Sequence, residues 1–126
     1  MKRIGFFFAG LLLTIFVGCS GSKTYRGTWK AIDANGQKCE IIFDATTFTI
    51  KDSTGGTKHY DYTQNSVAIN NSVSTYGIKL QDGRGYQINF PNSSNETVGL
   101  IKDENGGLIY TISRTDYVKY DDIYKL

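Results

Sequence analysis

Hydrophobic and polar residues alternate in short runs from Tyr25 onward, and glycine, asparagine and aspartate separate the runs. Gly27, Trp29 and Ala31 share one parity. So do Cys39, Ile41 and Phe43; Phe48 and Ile50; Tyr60 and Tyr62; Tyr76, Ile78 and Leu80; Tyr86, Ile88 and Phe90; Val98 and Leu100; and Leu108, Tyr110 and Ile112. The opposite parity carries Lys30, Lys38, Glu40, Thr47, Thr49, Lys51, Lys79, Gln87, Asn89 and Thr111. A period of two belongs to strands, whose successive side chains point to opposite faces. The pattern predicts strands near 26–33, 38–43, 47–52, 57–63, 66–69, 73–80, 85–90, 97–102 and 108–114. Eight or nine antiparallel strands, each with one wet face, best protect their edges by closing into a barrel. The expected fold is all-β, an eight- to nine-stranded antiparallel meander barrel over residues 25–126.

The breaks between runs support a meander. Asn35-Gly36 stands between GTWKAID and KCEIIF, and a two-residue hairpin turn asks both of its positions to tolerate positive φ. Thr54-Gly55-Gly56, Asn70-Asn71, Asp82-Gly83-Arg84-Gly85 and Asn105-Gly106-Gly107 offer the same chemistry. The closing stretch TDYVKYDDIYKL reads differently. A Thr115 or Asp116 cap, with Tyr117, Tyr120, Ile123 and Tyr124 at helical spacing, predicts a short helix or turn lying on the barrel.

Residues 1–18 do not share the pattern. Lys2 and Arg3 precede an uncharged, mostly apolar run from Ile4 to Val17, then Gly18-Cys19, which is the layout of a secretory signal. Phe16-Val17-Gly18-Cys19 resembles the lipobox of bacterial lipoproteins. That resemblance implies cleavage before Cys19 and a diacylglyceryl anchor on it, with further acylation such as palmitate. Cys19 is the expected lipidation site, residues 19–24 form a short tether, and the domain is expected on the extracytoplasmic face of the cell membrane. Two acyl chains suffice for stable anchoring, at about 0.8 kcal/mol per buried methylene.

Removing the signal changes the charge reading. Of 14 basic residues, Lys2 and Arg3 leave with the signal, so 12 remain against 12 acidic ones. A neutral domain gives no footing for nucleic-acid binding through a basic surface. With Cys19 spent on lipid, Cys39 has no disulfide partner, and its place beside Ile41 and Phe43 marks it as a small buried residue.

Candidate chemistry is sparse. His59 is the only histidine, so a Ser-His-Asp triad or a histidine metal site would rest on that one residue within KHYDY, where an exposed strand histidine is the expected reading, and Cys39 with His59 cannot supply the usual zinc ligand sets. Asp103-Glu104-Asn105-Gly106-Gly107 lacks the ligand spacing of an EF-hand, and no glycine run has the phosphate-loop pattern. No catalysis, metal or cofactor is expected. Tyrosine is the abundant residue: nine of them, a side chain that combines apolar area with a hydroxyl. Tyr60, Tyr62, Tyr76, Tyr86 and Tyr110 have core parity, whereas Tyr117, Tyr120 and Tyr124 are candidates for surface recognition.

Gly27-Thr28-Trp29 on a first strand resembles the calycin group: lipocalins, fatty-acid-binding proteins and small barrel inhibitors. The resemblance implies that Trp29 closes one end of the barrel while a basic residue from the last strand packs across its indole. Arg114 stands at the right parity beyond Ile112 to be that residue. The signal and the YRGTWKAIDANG start also resemble small surface lipoproteins of streptococci and related Gram-positive bacteria. Eight strands leave an interior just wide enough for side chains, and Trp29, Phe43, Phe48, Tyr62, Ile78, Ile88 and Ile112 would largely fill it. The expected function is a monomeric, non-catalytic binding module for a protein or peptide partner. The alternatives are an inhibitor or immunity protein acting through loops 51–58, 81–85 and 91–96, and a carrier of a small apolar ligand.

Overall fold

In the computed structural model of the chain, residues 20–92 and 94–123 are described. The signal segment, Cys19 and Tyr124 lie outside them. Eight strands run β1 (Gly27–Asp33), β2 (Lys38–Phe43), β3 (Thr47–Asp52), β4 (Thr57–Asn70), β5 (Val73–Leu80), β6 (Gly85–Phe90), β7 (Val98–Asp103) and β8 (Leu108–Ser113), followed by a one-turn helix α1 (Tyr120–Ile123). Each strand pairs antiparallel with the next, and β8 returns to β1 with Ala31 opposite Ile112, closing the barrel. This is the meander read from the alternation, consistent with a calycin-like barrel.

The core follows the parity of the sequence. Trp29, Ile41, Phe43, Phe48, Tyr62, Ile78, Ile88, Phe90 and Ile112 are buried inside. Three departures have local causes. The two strands expected at 57–63 and 66–69 are one, because Asn65 is bulged out between Gln64, opposite Ile78, and Ser66, opposite Gly77. The extra residue flips the parity, so Val67 faces Tyr76 and Ile69 faces Ser74 on the inner side.

The second departure is in β7. Ile101 pairs with Ile88 and turns inward, whereas Leu100 pairs with Asn89 and turns outward, the reverse of the expected parity for Val98 and Leu100. Leu100 is nevertheless fully buried. The segment after β8 crosses this outer wall: Thr111 Oγ1 donates to the Val118 carbonyl at 2.6 Å, and Ile123 of α1 is buried. The helix begins at Tyr120 rather than at Thr115, whose amide instead reaches Ser113 Oγ. In β8, a second bulge sets Leu108 opposite Lys102 and Tyr110 opposite Ile101, so Leu108 leaves the core parity it was assigned.

The turns sort into two kinds. Asp33 Oδ1 accepts from the Asn35 and Gln37 amides, Asp52 Oδ1 from Thr54 and Gly56, and Asp103 Oδ1 from Asn105 and Gly107, all at 2.8–2.9 Å. In these loops only the glycine has positive φ, so Asn35-Gly36 is not the two-residue turn expected. That turn is at Asn71-Ser72, with φ of 52° and 66° and Asn70 paired to Val73.

Candidate functional site

Strands of a meander alternate in direction, so the connections fall at two ends. One end holds the incoming residues 20–26, the β2–β3, β4–β5 and β6–β7 connections and the chain after β8. The other holds the four remaining turns.

The first end is sealed. Trp29 is fully buried and its indole Nε1 donates to the Tyr25 carbonyl at 2.8 Å. The Arg114 guanidinium lies 3.7 Å from the centre of the indole and donates to the carbonyls of Arg26 (2.7 Å), Thr24 and Thr28 (both 3.2 Å). Gly27 has φ of +105°, and a Cβ there would stand 3.0 Å from Arg114 Nη1. The structure therefore brings Gly27, Trp29 and Arg114 into one plug. Burial lowers the Arg114 pKa, but a guanidinium stays charged near neutrality.

The incoming segment completes the seal. Tyr25 is fully buried and donates to Gln64 Oε1 at 2.7 Å, while its ring packs edge-on to Phe43 and Tyr76. Burial, reinforced by Tyr62, raises the Tyr25 pKa far above its ordinary value. Gly21 donates to the Ala45 carbonyl at 2.7 Å, and Ser22 to Gln64 Oε1 at 2.9 Å. The stretch 21–24, expected as a tether, is thus hydrogen-bonded across the barrel end.

The opposite end is open. Tyr60, Tyr86 and Tyr110 stand half-buried around it, packed against the core from above. Tyr60 stacks on Phe48 with centroids 5.0 Å apart. The Arg84 guanidinium sits 5.3 Å from the Tyr60 ring and 5.9 Å from that of Tyr86, donates to the Tyr86 hydroxyl at 3.0 Å, and pairs with Asp82 at 2.8 Å. Below these rings is a cavity of about 90 Å³, reaching Ile41, Phe48 and Ile101. Beside it, a wider cleft of about 500 Å³ is bordered by Asp33, Lys38, Asp52 and Lys58, and it shares Ile50, Tyr60 and Tyr110 with the inner cavity. The two form a stepped mouth.

Electrostatics at the mouth favour neutral aromatic and thiol groups. Burial, with help from Cys39 and Asp33, pushes the Tyr110 hydroxyl up to about 12. Burial likewise pushes the Cys39 thiol up to about 11, so it is a poor nucleophile near neutral pH. The Asp82 carboxyl is lowered by its bonds from Arg84, and the Asp52 carboxyl by its bond from the Thr54 hydroxyl and then from loop amides. Both carboxylates are committed to their own turns.

The other sequence candidates lie elsewhere. His59 is on the outer wall, with Nδ1 2.9 Å from Thr49 Oγ1, on the face opposite the mouth tyrosines. The Tyr117 ring has the ammonium groups of Lys30 and Lys38 each 5.0 Å from its centre, so it is committed to the outer wall of β1 and β2. Tyr120 is exposed and starts α1. Of the three loops singled out, 51–58 and 81–85 flank the open end, and 91–96 is at the sealed one. Among the described residues, no three His, Cys, Asp or Glu side chains come together as a metal site.

Sequence reading did not single out the tyrosine mouth or the role of Tyr25. The mouth had a signal: Tyr60, Tyr86 and Tyr110 each lie near the start of an even-numbered strand, and in a meander all even strands start at one end. No protein-family model, curated protein or solved structure matches the chain.

Proposed function

We propose that the chain is a lipid-anchored, extracytoplasmic binding protein that performs no catalysis and engages a protein or peptide partner at its open end. The observation that carries this reading is the difference between the two ends. Ser20, next to the expected lipid site Cys19, enters at the sealed end, so an anchor there would turn the tyrosine mouth away from the membrane. Three aromatic rings and a guanidinium form a surface suited to a side chain or loop tip, because such groups combine apolar area with hydrogen bonding at low entropy cost.

The size of the interior supports this over ligand carriage. The cavity inside the barrel, about 90 Å³, is well below the ~300–1,000 Å³ of pockets that enclose drug-sized ligands, and the cleft of about 500 Å³ beside it is an open groove bordered by Asp33, Lys38, Asp52 and Lys58, which suits a protein surface better than an apolar ligand. Native mass spectrometry of the purified full chain tests the choice: a stoichiometric lipid inside the barrel would overturn it. Crosslinked pull-downs from intact cells test the mouth directly. Tyr86→Ala should reduce the captured partner at least ~10-fold while leaving the fold intact; unchanged capture would move the partner elsewhere.

An inhibitor reading draws on one further observation. The turns at the open end are locked by their own aspartates, and a rigid loop loses little entropy when inserted into an enzyme cleft. Activity assays with secreted lysozymes and proteases separate it from plain binding.

A further inference from the structure

We infer that residues 65–70 of β4 form a self-complementary strand edge through which two copies of the chain pair antiparallel about a two-fold axis at Ala68. The barrel is closed along most of its wall, but β4 is longer than its neighbour. Its pairing with β3 ends at Thr47 opposite Asp61, with one more bond from the Tyr62 amide to the Thr46 carbonyl. Beyond Gln64, whose side chain takes the Ser22 amide, β4 continues for six residues paired only to β5 among the described residues. All six are exposed, so a row of backbone donors and acceptors faces solvent.

The composition of this edge is unusual for an exposed one. Natural edges are blunted by lysine, proline or inward charge, yet no charged residue and no proline occurs between Asp61 and Lys79. Val67 and Ile69 are 44% and 65% exposed, and with Tyr120 they are the exposed large hydrophobic residues among those described. Both lie on the face of Tyr76 and Ser74, past the rim of the barrel. The Asn65 bulge sets that parity, and the Asn71-Ser72 turn fixes the register with β5.

A second copy supplies what this edge lacks. With the axis at Ala68, Val67 meets Ile69 of the second copy and Ser66 meets Asn70, so apolar residues adjoin on one face and no like charges are opposed. A lipid surface is the poorer occupant, because hydrocarbon would leave the open backbone groups unpaired. The paired stretch is short, so the dimer should be weak and reversible, with a dissociation constant of about 1–100 µM. This pairing requires neither the anchor nor the open end, and it departs from the monomer expected from sequence.

The test is sedimentation equilibrium of the full chain in detergent micelles, repeated with Val67→Asp/Ile69→Asp. Both positions are exposed, and Trp29 fluorescence checks that the variant is folded. The wild type should reach a monomer–dimer equilibrium, and the double variant should raise the dissociation constant at least ~10-fold. In a Cys39→Ala background, Ala68→Cys should yield a disulfide-linked dimer under mild oxidation, whereas Asn35→Cys, in a turn at the far end, should yield none beyond the background. A wild type that stays monomeric at about 1 mM overturns the inference. So does a dimer indifferent to the aspartates, and so does a monomer whose binding to phosphatidylcholine vesicles is what the aspartates abolish.

Discussion

Arg114→Ala removes the keystone of the sealed end, and its cost can be worked from the contacts. Two part-buried hydrogen bonds from a charged donor, to the carbonyls of Arg26 and Thr24, contribute about 1–1.5 kcal/mol each after allowance for solvent access. The exposed bond to Thr28 adds little. The guanidinium over the indole contributes about 0.5–1 kcal/mol. The loss is therefore about 3 kcal/mol, or a fall in Tm of roughly 10–20 °C for a domain of this size. Arg114→Lys keeps a cation near Trp29 but loses the planar fork that reaches several carbonyls, so about 2 kcal/mol should still be lost. Urea unfolding followed by the fluorescence of Trp29, the only tryptophan, reads both variants. A cost below about 1 kcal/mol for alanine, or a lysine variant equal to wild type, would refute the plug as a source of stability.

Gly27→Ala should destabilise by more than about 1 kcal/mol, because φ is +105° and the new methyl crowds Arg114, and the same urea curves would show it. Thr111→Val should loosen the segment after β8 by removing its bond to Val118, raising amide exchange in α1 and at Leu100 while the barrel midpoint moves by about 1 kcal/mol or less. The alkaline limb of stability follows from the buried acids. Cys39 and Tyr110 ionise near 11 and 12 in the folded chain, and Tyr25 and Tyr62 are raised too, whereas the unfolded chain ionises at the ordinary values of about 8.5 and 10. The folded state then holds more protons, so stability is complete below about pH 8.5 and falls as pH rises toward 12. Urea midpoints at pH 7, 9 and 11 that stay level would contradict this, and Cys39→Ala should remove the earliest part of the fall.

Alternation exposed the fold because each barrel strand has one dry and one wet side, and a period of two survives in sequence wherever that holds. It misled where a third layer was present. Leu100 reads as inward by hydrophobicity, yet it is outward and buried by the segment after β8, while Gly99 beneath Phe90 is too small to betray its inward position. Bulges at Asn65 and before Tyr110 shift parity by one residue, which no composition signals. The Gly27–Trp29–Arg114 plug was legible because an arginine at core parity requires a partner. Tyr25 was not, since it precedes the first strand and is held by Gln64, which the alternation reads as polar.

Under the proposed function, the tyrosine-lined end meets a partner while the sealed end does not. A photoreactive amino acid placed at Tyr86 at the mouth, or at Lys23 at the sealed end, can be activated in intact cells and its adducts identified. A discrete adduct with a protein other than a second copy of the chain is expected from position 86, and none such from position 23. Adducts with such a partner in equal yield from both positions, or from position 23 alone, would contradict the proposed function.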